Sequence, residues 1–207
     1  MATPDASNEP PSGGGTDGLI HHLDGLDRCW WCGEDADYLA YHDTEWGRPV
    51  RDEARLFEKL CLEGFQSGLS WLTILRKRTA FRAAFDGFDP HLVAAYGDGE
   101  VTRLLGDAGI VRSRAKIEAT ITNAGVLLRR WESGGTLAEL VWAFAPPPRP
   151  RPRSRTEVPA ITPASRALAG ALRAEGFRFI GPTTAYAFMQ AMGLVDDHLE
   201  GCHVAVG

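Results

Sequence analysis

The sequence predicts an all-α fold, and three observations carry that expectation. Apolar residues recur at three- and four-residue spacing in one segment after another, strand-like alternation is almost absent, and the helical segments are punctuated by capping and terminating residues. The chain has 207 residues, 44% of them hydrophobic and 24% charged, which is core enough for one domain or a closely packed pair of helical lobes.

In chain order, residues 1 to 25 read as an acidic, Pro/Gly-rich tail ("MATPDASNEPPSGGGTDG" at its head) that buries too little apolar surface to order itself. The helical domain is expected over residues 26 to 204. Within it helices are predicted from Asp52 to about Glu63, Trp71 to Phe85, Asp89 to Tyr96, Glu100 to Asp107 and Ser113 to Arg130. The prolines of "APPPRPRPRSRTEVPAITP" remove amide donors and fix φ, so residues 146 to 160 are expected to form a mobile basic loop. Thr162 and Pro163 then open a helix that Gly176 closes, and after "FRFIG" Pro182 opens another through "TTAYAFMQAMG". Two helices joined by a tight Gly-containing turn result. No repeat of fixed period is present, which excludes a solenoid.

The net charge of −5 argues at first against nucleic acid. Residues 1 to 27, with Asp5, Glu9, Asp17, Asp24 and Asp27 and no Lys or Arg, carry all of it, so the remainder is neutral and can still present a basic face. Candidates are Arg76 to Arg78, Arg112 to Lys116 and Arg149 to Arg155, although each alone reads more simply as solvated surface. No apolar run approaches the roughly 18 residues of a membrane span, and the N-terminus has no basic, apolar signal segment. A cytoplasmic protein is expected, with Cys29, Cys32, Cys61 and Cys202 as thiols or metal ligands rather than disulfides.

"DHLEGCH" places His198 and Cys202 four residues apart, on one face of a helical turn, as two ligands of a tetrahedral ion would be. The N-terminal "RCWWC" and "AYHD" offer the other half. Cys29, His42, His198 and Cys202 are one choice; Cys32, through its C-x-x-C, and His203 remain open, as does a set of free thiols beside surface histidines.

A second constellation centres on "CLEGFQSGLSW". Leu56 and Leu60 define an apolar stripe whose next places are Glu63 and Gly64, so a carboxylate lands on the inward face. Such a group must be paired, solvated in a cleft, or held for a cationic partner. Trp30, Trp31, Tyr38, Tyr41, Trp46 and Trp71 make this part of the chain aromatic, and a carboxylate beside π faces suits a flat, cationic or amino-bearing ligand such as a damaged purine. Periodicity alone favours a structural carboxylate satisfied by amides or Tyr hydroxyls.

The segments "RCWWC", "DYLAYHDTEWGRP", "LFEKLCLEGFQSGLSWLTILRKR", "DAGIVRSRAKIEATITNA", "FRFIGPTTAYAFMQAMGLVDDH" and "GC", in order from Arg28 to Cys202, resemble the 3-methyladenine DNA glycosylase I family of bacterial repair enzymes. The resemblance implies a two-lobed helix-hairpin-helix DNA glycosylase fold, with a structural zinc on Cys29, His42, His198 and Cys202 joining the chain ends and Cys32 left as an extra thiol. It implies a base pocket of Trp31, Tyr41, Glu63 and Trp71, in which Glu63 recognises the base and is the candidate for catalytic assistance. The hairpin, Phe179 to Ala185, would hold a DNA phosphate at Gly181, Thr183 and Thr184; superfamily hairpins carry glycine where this chain has Phe179. Arg112, Arg114 and Lys116 would face phosphate or support a helix, and Gly64 and Gly68 would let the base or a neighbouring helix come close. Asp197 lies near the superfamily's catalytic aspartate and is expected to be structural. The implied function is base excision repair of double-stranded alkylated DNA by a monomer, releasing 3-methyladenine, and 3-methylguanine less well. Of the only lysines, Lys59, Lys77 and Lys116, none stands where a nucleophile is expected, so the enzyme is expected to be monofunctional. The alternative is a zinc-stabilised helical module that binds damaged or bent DNA without catalysis.

Overall fold

The computed structural model describes residues 17–205. It begins with a feature that periodicity missed, an antiparallel hairpin of β1 (Leu19–His21) on β2 (Asp27–Cys29), pairing Leu19 with Cys29 and His21 with Asp27. Strands of three residues are too short to show alternation. Gly25 supplies the turn at φ 80°, and the buried guanidinium of Arg28 donates to Asp24 and to Asp43, tying the hairpin to the helix that follows. The fold therefore reaches back into the segment expected to be tail; residues 1–16 of that expectation lie outside the described residues.

A 3-10 turn, Trp30–Cys32, leads into α1 (Ala36–Thr44), capped by Asp35. Then come α2 (Glu53–Gln66) and α3 (Trp71–Ala84), with Asp52 and Ser70 accepting from the first-turn amides. Short helices α4 (Pro90–Ala94) and α5 (Asp98–Gly106) precede the long α6 (Arg114–Glu132) and the short α7 (Leu137–Trp142). The chain ends with α8 (Pro163–Glu175) and α9 (Pro182–Ala191), which pack on one another. The predicted helices are all present, with ends shifted by a few residues, as fraying and caps allow.

The core is built around α2. From Leu56 to Phe65 every residue but Glu58 is buried, because this helix meets α3, α6, α7 and α9 on different sides. Phe65 of α2 packs ring on ring with Phe81 and Phe85, its centroid 4.7 Å from that of Phe81. Among the described residues no helix is long and apolar enough to cross a membrane.

The runs expected to form a basic face are largely consumed internally. Arg78 forks onto Glu45 at 2.6 and 2.8 Å, Arg76 pairs with Asp35, and Lys77 donates to the Ala108 and Gly109 carbonyls. Residues 146 to 160, expected as a mobile loop, are strapped to the C-terminal segment: Arg149 to Asp197 at 2.6 Å, Arg151 to Asp196 at 2.8 Å and Arg153 to Glu200 at 3.2 Å. The acidic residues that answer these arginines lie far away in sequence, which is why local charge counting misread them.

The turn between α8 and α9 holds a left-handed non-glycine residue, Phe179 at φ 59°, a conformation costing about 1–3 kcal/mol. Asn123 of α6 clamps the turn from below, its Oδ1 accepting from Arg178 N–H at 2.7 Å and its Nδ2 donating to the Arg178 carbonyl at 3.2 Å. Glycine is thus replaced here by an external two-point clamp. Asn123→Ala, which orphans both backbone groups, is expected to lower stability by about 1–3 kcal/mol, read as a shift of the urea unfolding midpoint.

Candidate active site

Glu63 faces a cavity of about 300 Å³, at the low end of the roughly 300–1,000 Å³ typical of small-molecule sites. All four residues expected to form the base pocket line it: Trp31 from the 3-10 turn after β2, Tyr41 from α1, Glu63 from α2 and Trp71 from the start of α3. Trp30, Tyr38, Trp46 and Gln66 extend the wall, and Val158, Pro159 and Ala160 bring the arginine-strapped loop to the rim. Trp31 meets Trp46 edge-on at 4.8 Å and Tyr38 at 5.1 Å, and Tyr41 meets Trp71 at 5.4 Å. Burial, reinforced by the charge of Glu63, holds the Tyr41 hydroxyl well above its usual pKa, so it is a neutral phenol.

The carboxylate is paired, and its partner is a residue that sequence reasoning set aside. Lys59, one helical turn earlier, lies 2.8 Å from Glu63 Oε1, donates to the Tyr41 hydroxyl at 2.9 Å and stands 3.1 Å from the centroid of the Trp71 ring. The expectation that no lysine stands where a nucleophile is needed did not weigh lysine as a partner of the carboxylate: Lys59 is in the slot. The spacing i, i+4 from Lys59 to Glu63 is the signal that would have found it. Burial pushes the Lys59 ammonium below its usual pKa, and Glu63 opposes that shift.

Asp197 also lines the cavity, and it is fully engaged. It accepts from Arg149 at 2.6 Å, from the Tyr186 hydroxyl at 2.6 Å and from Gln190 at 2.8 Å, the environment of a structural carboxylate. The two glycines divide. A Cβ on Gly64 would stand 3.7 Å from the Phe179 Cβ, so Gly64 lets the α8–α9 turn come close, whereas Gly68, at φ 82° in open space, serves the backbone turn rather than a close approach.

Behind the aromatic wall Cys29, His42, His198 and Cys202 converge, all buried, with ligand atoms within 4.8 Å of one another. Each histidine offers one nitrogen inward and uses the other outward: His42 Nδ1 is 2.7 Å from Asp43, and His198 Nε2 is 3.2 Å from the Trp46 carbonyl. Such outer bonds fix the tautomer of a metal-binding imidazole. The two neighbouring thiols shift in opposite directions, Cys202 down beside Cys29 and the two histidines, and Cys29 up beside Cys202 and with burial. A cation between them would ionise both, and the two-thiolate, two-imidazole set fits a tetrahedral metal ion. The other candidates fall outside: Cys32 donates to the Cys29 carbonyl at 3.0 Å and burial lifts its thiol to about 12, while His203 turns to the Asp27 carbonyl at 3.1 Å.

The residues expected to meet DNA scatter more. Gly181 is the N-cap of α9 and leaves the first-turn amides without a side-chain cap; Thr183 and Thr184 line a shallow cavity shared with Glu63 and Leu69, so this helix end adjoins the slot. Arg112 is exposed, Arg114 is exposed and pairs with Glu118 at 3.3 Å, and Lys116 turns inward to the Phe65 and Ser67 carbonyls at 2.9 and 2.6 Å, closing the C-terminal end of α2.

The geometry is that of a small-molecule site, an aromatic slot with a buried carboxylate inside a largely helical frame. The methyladenine glycosylase family model matches residues 31–205. DNA-3-methyladenine glycosylase 1 of Escherichia coli (strain K12) is 48% identical over 179 residues, 86% of this chain and 96% of that protein. A crystal structure of 3-methyladenine DNA glycosylase I superposes with a TM-score of 0.83 at 49% identity, covering 85% of this chain and 98% of that one. A structure of the Staphylococcus aureus 3-methyladenine DNA glycosylase I, described as the basis of its 3-methyladenine recognition, superposes at 0.79 with 35% identity, over 82% of this chain and 92% of that one. The chain belongs to the methyladenine glycosylase family and is an enzyme.

Cys202→Ala removes one of the four converging donors. The wild-type protein is expected to carry about one metal ion per chain and the variant close to none, by elemental analysis, with a lower unfolding temperature. Unchanged metal content in the variant contradicts this assignment.

Proposed function

We propose that the protein flips an alkylated nucleotide out of double-stranded DNA and hydrolytically removes 3-methyladenine, leaving an abasic site. The observation that carries this reading is the buried Glu63 carboxylate facing an aromatic slot large enough for a base. The relatives support it, since they are named for release or recognition of the same base. 3-Methylguanine, which carries the same charge, is the expected weaker substrate.

The chemistry asks little of the protein beyond selection. Methylation at N3 makes the base cationic within the nucleotide, so when the bond to the sugar breaks, its electron pair stays with a base that leaves neutral. Water adds to the sugar carbon and loses a proton. Reaching that bond requires the base to leave the stack, and the unstacking is offset by contacts in the slot. Indole and phenol faces and the Glu63 carboxylate favour the cation over ordinary adenine. Tyr41, kept protonated by its surroundings, adds a neutral hydrogen-bonding group.

The α8–turn–α9 unit acts as a helix-hairpin-helix element, with the free amides at Gly181, Thr183 and Thr184 receiving a DNA phosphate next to the slot. Arg112 and Arg114 stand exposed for further phosphate contact, and Lys116 supports α2. Zinc suits the Cys29, His42, His198 and Cys202 donors, where it would supply structural closure of the chain ends and no chemistry. The Lys59 ammonium, committed to Glu63 and Tyr41, is not a free amine, which supports hydrolysis without strand cleavage by a monofunctional enzyme. The protein is read as a cytoplasmic monomer.

Incubating methylated double-stranded DNA with the wild type and with Glu63→Gln, and quantifying the bases released, tests the reading. Wild type is expected to release 3-methyladenine, and the variant to do so on the order of 10²-fold more slowly, the scale for losing one well-placed electrostatic partner. Wild-type protein that binds this DNA and releases no base leaves instead a zinc-stabilised module binding damaged or bent DNA.

A further inference from the structure

Lys59 occupies the place that the proposed function gives to the ligand's charge. Its ammonium sits on Glu63 Oε1, on the Tyr41 hydroxyl and over the Trp71 ring, at 2.8, 2.9 and 3.1 Å respectively, the last measured to the ring centroid. Carboxylate, phenol and indole face are the groups a cationic purine would use, and they already hold a cation. Lys59 is only 6% exposed, so it is a built part of the slot rather than a surface chain folded over it. Lys59 also borders a second, smaller cavity, whose Glu45 and Glu58 are already paired with Arg78 and Arg82.

We propose that Lys59 is a specificity-determining residue: the resident cation of the slot, seated on Glu63, Tyr41 and Trp71 when no base is present and replaced there by the alkylated base. This rests on the reading of the slot as the base pocket. A carboxylate buried without a partner is costly, so the empty slot keeps its own. Any entrant must then offer enough positive charge to take over contacts that an ammonium already makes. Uncharged adenine does not, so rejection of normal bases comes from competition with Lys59 as well as from weaker attraction to Glu63. Once the glycosidic bond breaks, the base is neutral, and Lys59 returns to its seat as the product leaves. No covalent bond to Lys59 is involved.

The test uses the full-length protein and two purines, a 3,9-dialkyladeninium salt as the cation and adenine as the neutral control, with binding followed by tryptophan fluorescence. Lys59→Met is expected to bind the cation about tenfold more tightly than wild type and adenine by a larger factor, so the cation-to-adenine ratio falls. Lys59→Arg, whose guanidinium forks onto Glu63, is expected to bind the cation severalfold more weakly. A Met variant that binds the cation no better than wild type overturns the proposal; if that variant does not fold, an Arg variant binding as well as wild type does the same. Glu63→Gln separates the two readings. If it binds the cation as tightly as wild type, the pocket reading fails and the proposal with it; if it binds weakly while Lys59→Met is unchanged, the proposal alone fails.

Discussion

The structure depends on one buried ion pair, Lys59 with Glu63, in the middle of the helix that α3, α6, α7 and α9 pack against. Replacing such a pair with apolar groups is often neutral or stabilising, whereas removing one partner costs about 3–5 kcal/mol, so stability alone does not account for it. Its position accounts for it better. The pair fixes two side chains on successive turns of a helix immobilised by α3, α6, α7 and α9, and it opens onto the aromatic cavity lined by both. A carboxylate on a rigid helix, with its rotamer held by a neighbour, is oriented before any ligand arrives.

The walls of that cavity adjoin the cluster of Cys29, His42, His198 and Cys202. Tyr41 is followed by His42, Trp31 lies between Cys29 and Cys32, and Asp197 precedes His198, so donors and slot residues alternate along the same backbone. The contact is physical as well: Trp31 lies 5.1 Å from the His42 ring, and Trp46 lies 4.7 Å from the His198 ring while its carbonyl is 3.2 Å from His198 Nε2. Drawing the four donors together pulls the N-terminal hairpin, α1 and the segment after α9 into one unit. The aromatic faces then have no freedom to fill the slot themselves.

Much of this was legible in the sequence, for reasons that differ by element. The helices were readable because their apolar stripes run for several turns and their caps are chemical: Asp52, Ser70, Thr162 with Pro163, Gly176. The hairpin was not, since two three-residue strands carry no period and its anchor, Arg28 on Asp24 and Asp43, is a long-range contact. Spacing gave His198 and Cys202 as half a ligand set; the family resemblance chose Cys29 over Cys32, and the backbone supplies the physical reason by turning the Cys32 thiol onto a carbonyl. Glu63 was readable as an inward carboxylate, but its partner was overlooked because lysine was weighed as a nucleophile and not as a neighbour four residues away. The arginine runs misled for the opposite reason, their carboxylate partners lying elsewhere in the chain.

Those spent arginines bear on how discrimination is divided in the proposed reading. Phosphate contacts supply affinity without sequence or damage information, and a strongly basic face would hold the protein on undamaged DNA. Here the described residues 17–205 carry a formal net charge of −3, and Arg78, Arg149 and Arg151 are bound to carboxylates of the same chain. In the proposed reading, the backbone meets a helix end at Gly181 and Thr183 with a few exposed cations such as Arg112. Modest electrostatic holding of this kind positions the duplex and leaves selection to the slot. There the contest is between one cation and another for the same carboxylate, which ties recognition of the lesion to the charge that methylation creates.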